Sequence, residues 1–177
     1  MGVASLVVTV CLRAALGGDC LCLPIAPKAF KPASVAGRAM GMGIGCPVTR
    51  SVGAQLRAPC SGRVVATEGN MPDFQVPQED SINRLGNHVV LRCDGVEIVL
   101  AHMRQGSLKV GAGERVETGA PLGEVGNSGA STEPHLHIHA QRPAVEGQPL
   151  ISGDPLALRI DGRFLVRNDR LIGAGER

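Results

Sequence analysis

The sequence predicts an all-β domain, and three observations support this fold class. The 177 residues include 24 glycines and 12 prolines but only three phenylalanines, and neither tryptophan nor tyrosine. Such a chain has many turns and must build its core from valine, leucine, isoleucine and alanine. Its apolar residues fall in short valine-rich runs, and no segment shows the period of a long helix. We therefore expect one compact antiparallel β-sheet domain that follows a poorly ordered N-terminal segment.

The N-terminal segment differs in composition from the rest of the chain. Residues 1–50 carry five basic side chains and a single acidic one, Asp19, whereas the remainder carries 13 basic and 15 acidic side chains. Residues 6–12 form an apolar run that is too short to span a membrane. No basic residue precedes this run, so a strand is favoured over an export signal. An N-terminus foreign to the fold is a further alternative for this segment.

The strand signals become regular after residue 58. Strands are predicted, in chain order, at residues 62–67, 87–92, 96–102 and 134–141. The polar residues 69–86 contain two prolines and predict a long loop, and long loops of compact domains are often functional. Asp94-Gly95 is a hairpin signal between the second and third strands. Residues 110–116 and 119–126 are expected to form short β segments between glycine turns, and residues 163–172 a terminal hairpin.

These patterns divide the chain into three parts. We expect an irregular N-terminal segment, a central β domain and a C-terminal extension, at residues 1–50, 51–145 and 146–177 respectively. Four of the six cysteines lie in the first part. The other two, Cys60 and Cys93, lie in apolar, strand-like surroundings, so we expect small buried side chains with free thiols there. The even count permits disulfides, but a domain of this length does not need them.

Composition also argues against two classes of partner. The net charge is +2, so no strong field for nucleic acid or an anionic membrane is expected. The sequence has no nucleic-acid-binding motif and no aromatic platform on which bases could stack. It has no transmembrane segment either.

The histidines carry the chemical signal of the chain. Three of the five lie within residues 133–139, Glu-Pro-His-Leu-His-Ile-His, at a spacing of two. On a strand, their imidazoles point to one face, where they can bind metal or move protons. His135 and His137 are then about 6.6 Å apart, but His135 and His139 are about 13 Å apart, so the strand offers at most two ligands for one ion. His102 ends another predicted strand.

The chain from residue 58 to about residue 142 resembles the lysostaphin-type (LytM-like) zinc metallopeptidases, which cut peptide bonds in bacterial peptidoglycan. The resemblance is carried by residues 58–65 (APCSGRVV), 86–91 (GNHVVL), 100–103 (LAHM), the glycine pattern of 110–126, and 126–137 (GNSGASTEPHLH). It implies an antiparallel β domain of the hybrid-motif type with its site in a groove on the sheet. It also implies a peptidoglycan or similar peptide as substrate and an extracytoplasmic location.

The resemblance assigns roles to three histidines. His137 corresponds to a zinc ligand, and His102 and His135 to the two catalytic histidines. In such a site zinc lowers the pKa of bound water to about 7, and neighbouring imidazoles exchange protons near neutral pH. The family takes its other two ligands from an upstream His-x3-Asp motif, which is missing here, because no histidine precedes His88. We expect His88 to hydrogen-bond at the start of its strand.

Several interpretations follow from the incomplete ligand set. The protein is an active zinc endopeptidase if Asp19, Cys20 or Cys22 replaces the lost ligands. It is otherwise an inactive relative that binds cell-wall peptide or regulates a partner. A third interpretation is a phosphocarrier or biotinyl/lipoyl-like domain, because residues 110–126 also fit that hybrid β motif. The role of His139, where the family has an acidic residue, is open.

Overall fold

The computed structural model describes residues 8–10, by their backbone, and residues 52–160. Those residues form strands β1 (Val8–Val10), β2 (Gln55–Arg57), β3 (Gly62–Glu68), β4 (Asn87–Cys93), β5 (Val96–Met103), β6 (Arg115–Val116), β7 (Pro121–Glu124), β8 (Leu136–Gln141) and β9 (Pro155–Leu156). A seven-stranded sheet has the order β1-β8-β5-β4-β3-β6, with β9 also paired to β8, and β2 pairs with β7. Every pairing is antiparallel. The predicted all-β fold is therefore confirmed.

The strongest strand predictions match the structure closely. Strands β3, β4, β5 and β8 lie where the valine-rich and histidine-rich runs predict them, and residues 69–86 lie outside the named strands. Asp94 and Gly95 turn the β4–β5 hairpin with φ angles of 47° and 78°, as an Asp-Gly pair favours. Strands β2 and β9 were not predicted, because three and two residues are too few to show alternation. The predicted terminal hairpin and the irregular residues 24–50 lie outside the described residues.

The large sheet has two faces of different character. One face packs with the β2–β7 sheet around the main core, whose fully buried members include Leu56, Val89, Leu91, Leu100, Met103 and Leu122. The opposite face carries a smaller apolar cluster of Val90, Val99 and Ala101. Side chains alternate between these faces along each strand. His137 and His139 of β8 therefore lie on the face opposite Leu136 and Ile138.

Cys60 and Cys93 form a disulfide, so the expectation of free thiols was wrong. Their Cα atoms are 6.2 Å apart across a sequence separation of 33 residues, within the range that a disulfide bridges. Cys93 ends β4, and Cys60 lies just before β3, which pairs with β4. Strand pairing therefore brings two apolar cysteines together, a proximity that their local sequence context does not reveal.

The long loop of residues 69–86 is fastened to the rest of the domain. Both oxygens of Asp73 accept backbone hydrogen bonds, from Asn127 N at 2.6 Å and Gln105 N at 3.0 Å. The side chain of the buried Asn87 accepts a bond from Met71 N and donates one to Met71 O. These contacts hold the loop beside the glycine turn that precedes the histidine strand. In the described residues there is no helix that is long and apolar enough to cross a membrane.

Candidate functional site

Four histidines form a cluster on the face of the sheet that lies opposite the main core. The ring centroids of His102 and His135 are 4.7 Å apart, those of His102 and His137 5.5 Å, and those of His137 and His139 5.0 Å. The three histidines singled out in the sequence are thus brought together from two adjacent strands. His139, whose role the sequence left open, joins them through His137.

A backbone irregularity brings His102 into this cluster. Strand alternation places Leu100 in the main core and Ala101 on the opposite face, so His102 would be expected to return to the core. Instead, His102 has a φ of 62°, a left-handed conformation that is uncommon outside glycine. Met103 then occupies the core position. The turn in the backbone rotates the imidazole of His102 towards His135 and His137.

The turn at residues 126–129 fixes the orientation of His102. The Nδ1–H of His102 donates to Ser128 O at 2.8 Å, and the Ser128 hydroxyl donates to Met103 O at 2.8 Å. Gly129 has a φ of +76°, and a Cβ there would collide with the backbone of Gly86. Only a glycine therefore allows the end of the long loop to pack this closely against the turn. The close packing holds the carbonyl to which His102 donates.

His135 is oriented in the same manner. Its Nδ1 is 2.7 Å from Glu133 O and 3.2 Å from the Ser131 hydroxyl. Carbonyl oxygens only accept hydrogen bonds, so Nδ1 of both His102 and His135 must carry the hydrogen. In the neutral ring Nε2 then keeps a lone pair, and each of these two histidines offers one acceptor nitrogen.

Burial lowers the pKa of three of the four histidines in the cluster, His102, His137 and His139. Desolvation, reinforced by the neighbouring His135, lowers the pKa of His102 from 6.5 to about 4. Desolvation also lowers the pKa of His137 to about 3, with further contributions from His139, His102 and His135. The pKa of His139 is lowered by burial as well, against the opposing effect of its hydrogen bond to Gln141. These imidazoles therefore act as hydrogen-bonding or ligating groups rather than as cations.

Behind the cluster, polar side chains continue along the same face of the sheet. Nε2 of His137 is 2.8 Å from Nδ1 of His139, and Nε2 of His139 is 3.4 Å from Oε1 of Gln141. Gln141 in turn donates to the carboxylate of the buried Glu97. Gln141 was missed in the sequence, although it continues the spacing of two beyond His139. His88 lies outside this network, and its Nδ1 bonds to Gly86 O at 2.8 Å, which confirms its predicted local role.

The described residues do not fit a zinc ion. Zinc in a catalytic site takes three protein ligands, often with a carboxylate among them. Within residues 52–160, no three His, Cys, Asp or Glu side chains are arranged to hold one metal ion. His137 has imidazoles rather than carboxylates as its nearest polar neighbours. The alternative ligands Asp19, Cys20 and Cys22 lie outside the described residues.

Comparison with known proteins places this site in context. A family model described as "Peptidase family M23" matches residues 40–150 of the chain. The DD-carboxypeptidase/endopeptidase Mpg of Neisseria meningitidis serogroup B is 33% identical over 93 residues, which are 52% of this chain and 20% of that protein. The chain therefore matches only about one fifth of the length of this relative. The Mpg protein of Neisseria gonorrhoeae matches to the same extent.

Two catalytic domains are among the solved structures to which the chain is similar. A mutant catalytic domain of the prophage-encoded M23 protein EnpA from Enterococcus faecalis superimposes with a TM-score of 0.47 at 22% identity, covering 76% of this chain and 92% of that one. The catalytic domain of lysostaphin from Staphylococcus simulans has a TM-score of 0.41 at 24% identity, covering 54% of this chain and 63% of that one.

Proposed function

Because this chain belongs to peptidase family M23, we propose that its histidine cluster binds the peptide part of peptidoglycan. In this proposal His102 and His135 occupy the positions of the catalytic histidines, and His137 that of a zinc ligand. The matching segment of Mpg, a protein named as a DD-carboxypeptidase/endopeptidase, supports peptide as the ligand class. The glycine turn and the histidine strand, which carry the resemblance to lysostaphin-type peptidases, surround the cluster.

The observation that carries the proposal is the oriented pair of acceptor nitrogens. His102 and His135 each donate Nδ1–H to a backbone carbonyl, which leaves Nε2 free to accept a hydrogen bond. The centroids of their rings lie 4.7 Å apart, so the two acceptor nitrogens serve the same small region of the site. A peptide backbone supplies N–H donors, and it carries no charge that would require ionised partners. The cluster is therefore suited to hold a neutral peptide by its backbone.

Recognition without zinc-dependent hydrolysis is the form of the function that we favour. The upstream His-x3-Asp motif is missing, and the 48 residues from 40 to 87 contain no histidine, although the family match begins at residue 40. Burial lowers the pKa of His102 and His137, and within residues 52–160 no three His, Cys, Asp or Glu side chains are arranged to hold a metal ion. A site of this kind retains the peptide-facing histidines of the family without the set of ligands that holds the metal.

Binding to purified peptidoglycan tests the proposal. We would incubate the full chain with insoluble peptidoglycan and, separately, titrate it with a soluble stem tetrapeptide by calorimetry. His102→Gln and His135→Gln should each weaken binding about fivefold, the effect of losing one hydrogen bond of about 1 kcal/mol. His88→Gln is the matched control, because His88 bonds only to Gly86 O in the described structure, and should bind as the native chain does. No binding to either probe by the native chain would refute the proposal.

A second candidate is zinc-dependent hydrolysis with replacement ligands from the N-terminal segment. The retained His102–His135 pair is compatible with it, because these two positions correspond to the catalytic histidines of the family that the sequence resembles. Asp19, Cys20 and Cys22 would then complete the site with His137. Zinc per chain, measured by elemental analysis after gel filtration in zinc-containing buffer, separates the two candidates. A value near one favours hydrolysis and should be lost in His137→Gln, whereas a value near zero favours recognition alone.

A further inference from the structure

A buried network of polar side chains runs from the histidine cluster to the end of the sheet at which β4 and β5 form their hairpin. It begins at His137, continues through His139 and Gln141, and ends at Glu97. Gln141 and Glu97 are each 1% exposed, and His139 is 8% exposed. At the far end, Glu97 forms an ion pair with Arg92 across the β4–β5 hairpin at 2.6 Å. Buried polar groups of this kind must satisfy one another, so the direction of each hydrogen bond can be derived.

The Glu97 end of this network determines which group donates in each hydrogen bond. Nε2 of Gln141 donates to Oε2 of Glu97 at 3.0 Å and to Leu150 O at 2.8 Å. Both partners are pure acceptors, because one is an ion-paired carboxylate and the other a backbone carbonyl. The two hydrogens of the Gln141 amide are therefore both used. Its Oε1 must face the other way and can only accept.

The positions of the hydrogens on His139 and His137 follow from the orientation of the Gln141 amide. Nε2 of His139 faces the Gln141 oxygen at 3.4 Å and must carry the hydrogen that this oxygen accepts. In a neutral imidazole Nδ1 then keeps the lone pair. Nδ1 of His139 faces Nε2 of His137 at 2.8 Å, so the hydrogen of that bond must lie on His137. Nδ1 of His137 is left as the nitrogen with the lone pair.

We infer that His139, Gln141 and Glu97 are positioning residues that hold His137 in the Nε2–H tautomer, so that its Nδ1 is the acceptor that the site presents. The three histidines singled out from the sequence then all present an acceptor nitrogen: Nε2 of His102, Nε2 of His135 and Nδ1 of His137. The tautomer itself follows from the hydrogen-bond network alone. Its use as a third acceptor for a peptide N–H rests on the proposed function.

The two hydrogen-bond partners of the side chain at position 139 explain why a histidine is suited to this position. The group behind His137 must accept at one atom and donate at another, since it lies between an N–H and an amide oxygen. A carboxylate, the usual group at this position in the family that the sequence resembles, accepts at both oxygens. It would face the Gln141 oxygen, which also only accepts, and the two would repel. His139 and Gln141 are therefore matched to each other.

Nuclear magnetic resonance of the ligand-free full chain, labelled with ¹⁵N-histidine, tests the inference at pH 7. Two-bond ¹H–¹⁵N correlations distinguish the nitrogen that carries the hydrogen from the one that does not. We expect about a tenfold excess of the Nε2–H form of His137, which corresponds to one hydrogen bond of about 1.4 kcal/mol. We also expect a coupling across the hydrogen bond between Nε2 of His137 and Nδ1 of His139. A His137 with its hydrogen on Nδ1 would overturn the inference.

Two variants separate positioning from mere packing. His139→Phe removes the acceptor but keeps a ring, so the excess of the Nε2–H form of His137 should fall severalfold. His88→Phe is the matched control on β4, which is separated from the histidine strand by β5, and should leave that excess unchanged. If His139→Phe does not fold, Gln141→Met tests the same network one link further away. An unchanged ratio in the variant that folds would refute the positioning role, whatever the outcome of the peptidoglycan-binding experiment.

Discussion

The buried imidazoles of His102 and His137 should make the domain sensitive to mild acid. His102 and His137 have pKa values of about 4 and about 3 in the folded protein, against 6.5 for an unperturbed histidine. Between these values the unfolded chain binds protons that the folded chain does not. The free energy of unfolding therefore falls as the pH falls below about 6.5, and it continues to fall until about pH 4, where His102 in the folded protein is also protonated.

The size of this loss of stability follows from the lowered pKa values of His102 and His137. Each histidine contributes a loss of about 1 kcal/mol for one pH unit, so acidification from pH 6 to pH 5 should cost about 2 kcal/mol for the pair. This interval is informative because a free glutamate has a pKa of 4.5, so that ordinary carboxylates contribute little there. About 2 kcal/mol is a large part of the stability of a domain of this size.

Urea unfolding at several pH values between 5 and 7.5, at constant ionic strength, measures the loss. His102→Gln and His137→Gln should each remove about 1 kcal/mol of the loss between pH 6 and pH 5, and His139, whose pKa is also lowered, contributes to the slope that remains. Each variant is compared with its own stability at pH 7.5, which removes the effect of the substitution on packing. A free energy of unfolding that is constant between pH 6 and pH 5 in the native chain would refute the lowered pKa values of His102 and His137.

Three further predictions concern the framework that holds the site. Replacing Cys60 and Cys93 together by alanine should cost about 4 kcal/mol, because their disulfide closes a loop of 33 residues; an unchanged urea midpoint would contradict the pairing. Leu100→Ala should cost about 2–5 kcal/mol in the same assay, since Leu100 is fully buried in the main core. Gly129→Ala should cost clearly more than Gly147→Ala, by melting temperature: both have positive φ, but only at Gly129 would a Cβ meet backbone atoms. Equal losses for the two glycines would refute that close approach.

The elements that the sequence predicts well are those with local signals. Strands β4 and β5 are defined by valine-rich runs on both sides of Asp94-Gly95, and each residue of that turn adopts the positive φ that the pair favours. The histidine strand is equally local, because a spacing of two already places His137 and His139 on one face. The fold class and the members of the cluster follow from such short patterns together with the family resemblance.

What the sequence does not reveal depends on contacts between distant residues. Six cysteines permit 15 complete pairings, and nothing near Cys60 identifies Cys93 as its partner. Strand alternation predicts the wrong face for His102, because the left-handed turn at that residue depends on Ser128, 26 residues away. Gln141 continues the histidine spacing, but its role requires knowledge of Glu97 on the neighbouring strand.

The distance of the Glu97 carboxylate from His137 affects how well His137 could bind a metal. An anion in contact with a ligating histidine makes that histidine more basic and strengthens its bond to zinc. Here the carboxylate of Glu97 is separated from His137 by His139 and Gln141, both of which are uncharged links. His137 therefore receives a fixed orientation from this network but little negative charge. A replacement of the missing upstream ligands alone would leave His137 a weak ligand for zinc, which is consistent with the hydrogen bonding to a neutral peptide that we propose.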